Sequence, residues 1–172
     1  MSYNYREDCY GKICLEYAVQ CKTDVGFGAV LVKDGEIIGY GRNRQATKEE
    51  RKFLKGVDYA VHAEEACIID VLRKTGCFDK NQNERSKVLD GAEIFVLGLA
   101  LRGPLKGRLT SRRDRVFVCV RCTRNVLIPF NVPVNIPRFS GWAQLTPQEA
   151  VVTSKRLCGN GYWKKFTKKK TV

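Results

Sequence analysis

A three-layer α/β/α sandwich is the fold class that the sequence predicts, and three observations carry that expectation. Apolar residues at Tyr10, Ile13, Cys14, Tyr17, Ala18 and Cys21 follow the i, i+3, i+4, i+7 spacing of a helix with one buried face. Asp34-Gly35 stands between the apolar runs Ala29–Val32 and Ile37–Tyr40, the strongest short signal for a hairpin. Helical and extended patterns then alternate toward the end of the chain, which calls for a sheet covered on both faces.

Taken in order, a helix is expected within residues 5–22, followed by strands over 27–33 and 36–42. Residues 44–60 are highly charged and read as a loop that holds at most a helical turn. A helix is expected from about His62 to Lys74, ending before Gly76, and the polar run DKNQNERSK, 79–87, reads as a loop. AEIFVLGLAL, 92–101, is a buried strand bounded by Gly91 and Gly103. VFVCVRCTRNVLI turns into a short helix near Cys119. Pro133 and Pro137 confine any strand between 131 and 139 to an edge or to a short length. A short strand over Trp142–Leu145 follows, and then a helix with Thr146 as N-cap and Pro147 at its first position.

The 172 residues suffice for one well-buried core, and no repeat or linker divides them. We expect a single domain over 1–158 and a basic, aromatic tail over 159–172. No apolar run approaches the roughly 18 residues of a membrane span. The N-terminus MSYNYREDCYGK has no basic or apolar signal region, so the eight cysteines read as thiols of a reducing cytoplasm. Thirty-one Lys and Arg against eighteen acids leave +13, a charge that attracts polyanions. One basic cluster, 102–115, includes Arg108, Arg112 and Arg113. In the tail, Lys164 and Lys165 are interleaved with Tyr162, Trp163 and Phe166. Cations mixed with stacking aromatics suit single-stranded nucleic acid; a solvated loop and tail is the alternative.

The chain has one histidine, His62, and a carboxylate, Glu64, two positions after it. Cys119-Val120-Arg121-Cys122 is a C-x-x-C, which alone fits a redox pair or half of a zinc ribbon. No second C-x-x-C and no thioredoxin-like context accompanies it. With His62-Ala63-Glu64 it completes the H-x-E…C-x-x-C constellation of zinc nucleobase deaminases. One imidazole and two thiolates neutralise Zn2+ and leave a fourth position for water. Cysteines at i and i+3 share a helix face. His62 can converge with Glu64 only from a half-helical first position, which aims two helix N-termini at the metal. Glu64 is then the proton carrier between water, the ring nitrogen and the departing ammonia.

On these residues the chain resembles the cytidine deaminase superfamily, over roughly residues 5 to 155. FGAVLVKDGEIIGYGRN is similar to that family's first hairpin and HAEEACIIDVL to its catalytic helix. The resemblance implies a mixed five-stranded sheet, Asn43 on the substrate's sugar, Phe27 lining the pocket, and the Ala63 N–H on the base. Val118 stands where the family has Pro. PVNIPRFSG–WAQLTPQEA resembles the closing segment of nucleoside-type members, whose last two strands are antiparallel. Family likeness favours cytosine over adenine, while the charge favours a polynucleotide, with Arg121 a candidate phosphate contact. The expectation is therefore zinc-dependent conversion of cytosine to uracil in single-stranded DNA or RNA. Deamination of free cytidine, deoxycytidine or (d)CMP is the first alternative. An adenine deaminase of the tRNA type and a silent RNA-binding module follow. Relatives imply a homodimer or homotetramer.

Overall fold

A computed structural model describes residues 3–54, 59–109, 119–138 and 140–153. The order of elements is α1 (Cys9–Ala18), β1 (Val25–Lys33), β2 (Glu36–Arg42), β3 (Arg44–Gln45), α2 (Lys48–Phe53), β4 (Ala60–Val61), α3 (Ala63–Lys74), α4 (Gln82–Leu89) and β5 (Ala92–Ala100). A helical segment follows, made of α5 (Val120–Cys122), a π-helical stretch (Thr123–Leu127) and α6 (Ile128–Phe130). Strands β6 (Val134–Arg138) and β7 (Gly141–Leu145) come next, and residues 147–153 are helical.

Five strands form one mixed sheet in the order β2-β1-β5-β6-β7. Only β5 and β6 run parallel; β6 and β7 form an antiparallel pair, as the resemblance implies. Asp34 and Gly35 both have positive φ, 52° and 81°, so the Asp-Gly hairpin turns with the hand that matches strand twist. Pro137 lies past the two residue pairs, Ile94↔Val134 and Phe95↔Asn135, that join β6 to β5. It interrupts no parallel ladder there.

Glycines decide where the helices lie. A Cβ on Gly26 or Gly28 would fall 2.0 Å from Ala18 O or 1.8 Å from Cys14 O, so α1 rests directly on β1. On the opposite face, a Cβ on Gly41 would fall 2.1 Å from Ala63 O and 2.5 Å from the Cys67 amide. The first turn of α3 therefore sits against the backbone of β2, with no side chain between them. Two apolar cores result. Val30, Val32 and Leu97 pack with Cys14 and Ala18 of α1. Leu31, Ile94, Val134 and Ile136 pack with Ala63, Cys67 and Leu72 of α3, and with Cys122, Val126 and Ala150. This is the expected layered architecture.

Two segments differ from expectation. The charged 44–60 segment holds α2, started by a capping box in which Thr47 accepts from the Glu50 N–H and Glu50 accepts from the Thr47 N–H. The segment 79–87, expected as a loop, forms most of α4, whose N-cap Asn81 accepts from the Glu84 N–H. A single buried residue, Leu89, anchors that helix to the core, so no apolar period announces it. Val118, Arg112 and Arg113 lie outside the described residues, as do Lys164, Lys165 and the whole expected tail. No described helix is long and apolar enough to cross a membrane.

Candidate metal centre

His62 has an extended backbone, φ −80° and ψ 160°, and is the N-cap of α3. That half-helical place frees its imidazole to swing across the helix end. Cys119 is likewise the N-cap of α5, and its thiol accepts from the Cys122 N–H at 3.3 Å. Two helical segments thus begin at one point, with their unsatisfied N–H groups and positive ends turned toward it. His62 Nδ1 lies 3.2 Å from Cys119 Sγ and 3.4 Å from Cys122 Sγ, and the two sulfurs are 3.3 Å apart.

These three donors form the one group among the described residues that could hold a metal ion. Tetrahedral zinc, with Zn–S about 2.3 Å and Zn–N about 2.0 Å, sets its ligand atoms about 3.5–3.8 Å apart. The observed triangle needs to open by only a few tenths of an ångström. The residues fit zinc, and Nδ1 is the imidazole donor.

Proton affinities describe the same site without its cation. The hydrogen bond to Cys119 outweighs burial and raises the His62 imidazole to about 9. The hydrogen bond from Cys122, with help from His62, holds the Cys119 thiol well below its ordinary value despite burial. Burial, then the neighbouring Cys119, pushes the Cys122 thiol well above its own. The metal-free site is thus an imidazolium-thiolate pair beside a neutral thiol, and zinc has to displace protons from His62 and Cys122. Zinc affinity is accordingly expected to rise with pH from 6 to 8, because both displaced groups keep their protons there. Chelator competition across that range checks the slope; a flat profile contradicts it.

Glu64 follows on the first turn of α3. It is only 8% exposed, and its own backbone N–H hydrogen-bonds its carboxylate. Burial, then the charge of Cys119, pushes that carboxyl up to about 7. A buried acid, poised near neutrality beside three ligand atoms, suits proton transfer. Ala63 is fully buried at the first helical position.

Glu65 and Asn125, which have no role in the expectations above, complete the centre together with Arg121. Glu65, fully buried, accepts from the His62 N–H at 2.9 Å, from Arg121 Nε at 2.8 Å and Nη2 at 2.9 Å, and from Asn125 Nδ2 at 3.1 Å. Arg121 Nη2 also donates to the Ala60 carbonyl. A glutamate three residues after an N-cap is a capping-box signal, so this use of Glu65 was legible. Arg121, expected at a phosphate, is corrected here: it is 7% exposed and turned inward, because the Glu65 carboxylate needs a buried partner. Removing one member of so buried a pair costs about 3–5 kcal/mol.

Asn43 and Phe27 lie at the same end of the sheet. Continuing the Arg44↔Val61 pairing by one step sets Asn43 opposite His62. Its amide is engaged by the chain itself, accepting from the Phe27 N–H at 2.6 Å and the Cys21 thiol at 2.9 Å, and donating to Thr23 Oγ1 at 2.9 Å. Phe27 is on the α3 face with Ala29 and Leu31 but remains 40% exposed, so it is not core. Arg108 is exposed in the loop that folds back beyond Ala100, at the end of the sheet that carries Phe27.

A His-Cys-Cys donor set at two helix N-termini, with a buried glutamate alongside, defines a zinc hydrolase site on an α/β/α scaffold. The model of the cytidine and deoxycytidylate deaminase zinc-binding region matches residues 7–128, and the chain belongs to that family. A search of the curated proteins finds no match.

Proposed function

We propose that this protein hydrolytically deaminates cytosine to uracil, and that the base is carried by single-stranded nucleic acid. The observation that carries deamination is the His62, Cys119, Cys122 triangle with the buried Glu64 beside it. Zinc held there supplies a Lewis acid that makes water a nucleophile near neutral pH. Glu64 takes a proton from the attacking water, places it on the ring nitrogen, and then passes one to the amino group that leaves as ammonia. The Ala63 N–H, at the start of α3, would bind the base carbonyl. Phe27, half exposed at the same end, offers a face for the ring.

The polynucleotide reading is supported by the +13 charge and by Arg102, Lys106 and Arg108, all exposed in the loop at the site's end of the sheet. A small substrate needs one or two cations. A second reading, a free cytidine compound, is favoured by the antiparallel β6–β7 pair and its likeness to nucleoside-type members. Turnover of single-stranded DNA, RNA, cytidine, deoxycytidine and dCMP, assayed side by side for uracil products, separates them. The expected result is highest kcat/KM on an oligonucleotide, falling steeply with salt. Higher efficiency on a free compound selects the second reading, and no uracil product from any substrate contradicts deamination.

A further inference from the structure

The three metal ligands come from two segments that are 57 residues apart in the chain, His62 before α3 and the C-x-x-C at α5. Apolar packing of Cys122 and Val126 with Ala63 and Cys67 brings the segments together, and one carboxylate ties the ligand-bearing ends to each other. Through its two oxygens Glu65 holds the backbone N–H of His62 and the side chain of Arg121, the residue between the two cysteines. Arg121 reaches back to the Ala60 carbonyl, two residues before His62, and Asn125, one turn further along, bonds the same carboxylate. Four donors converge on a carboxylate with no solvent exposure.

We propose that Glu65 and Arg121 are positioning residues that set the His62-to-cysteine spacing before the metal arrives. An ion pair with several hydrogen bonds, fixed at both ends to backbone next to ligands, resists the drift of α5 away from α3. Without it, zinc has to set the spacing of the two segments itself, and part of its binding free energy goes into ordering them. This inference rests on the zinc reading of the site, and the test separates the two.

The test uses the full chain carrying both E65Q and R121M, which removes the strut and leaves no buried unpaired charge. Zinc dissociation constants come from competition with a chromophoric chelator, with thermal unfolding of the metal-free proteins as the control for folding. The expected result is zinc binding weakened about 10–100-fold, with the metal-free protein still folding cooperatively. A purely structural pair lowers the unfolding temperature but leaves the affinity of the folded protein unchanged. Affinity within threefold of the parent therefore overturns the proposal. Should the double variant not fold, R121K decides: it keeps the charge but replaces the planar fork, whose Nε and Nη2 meet separate oxygens of Glu65, with a single ammonium nitrogen. At least fivefold weaker binding is then expected, and unchanged binding overturns the proposal. If the parent itself takes up no zinc, it is the metal reading that fails.

Discussion

E64Q is expected to keep a full complement of zinc and to lose about 10³–10⁴-fold in kcat, the upper part of the range for a positioned acid–base group. The substitution preserves shape and volume, and Glu64 is not one of the three donors. Folding and metal uptake therefore have no reason to change. What disappears is a group that can gain and lose a proton near neutral pH, the condition that burial and Cys119 create by pushing the carboxyl to about 7. Metal analysis with steady-state turnover checks both halves. A kcat within tenfold of the parent would show that the proton travels by another route.

C122S is expected to retain less than about a tenth of the parent's zinc after dialysis, and with it no measurable turnover. Cys122 has no exposed surface and packs with Val126, Leu127 and Ile94. Serine is close in shape, so the fold should survive. A hydroxyl does not give up its proton to zinc at neutral pH as a thiol does, and His62 with Cys119 leaves only two donors. The gap in unfolding temperature between zinc-loaded and metal-free protein should close as well, since a ligand that no longer binds cannot stabilise. Stoichiometric zinc in C122S would remove Cys122 from the site.

Much of this arrangement is legible along the chain because it depends on local chemistry. Asp34-Gly35 specifies its own turn, and the Thr146 N-cap with Pro147 starts a helix that packs Ala150 into the core. The H-x-E and C-x-x-C motifs name the donors, and the half-helical place expected for His62 is the one it takes. What is not legible depends on partners far away in sequence. Arg121 looks like a surface cation until Glu65, 56 positions earlier, is seen to claim it. Asn43 gives no sign that Cys21, Thr23 and Phe27 engage its amide. Helix α4 escapes notice because capping by Asn81 and one apolar anchor make it, with no amphipathic stripe.

X-ray absorption at the zinc edge of the purified protein tests most directly whether these side chains hold the ion. Two sulfurs at about 2.3 Å and one imidazole nitrogen at about 2.0 Å, completed by one oxygen, are what His62, Cys119 and Cys122 require. A shell of four sulfurs, or one of nitrogen and oxygen alone, would contradict the assignment.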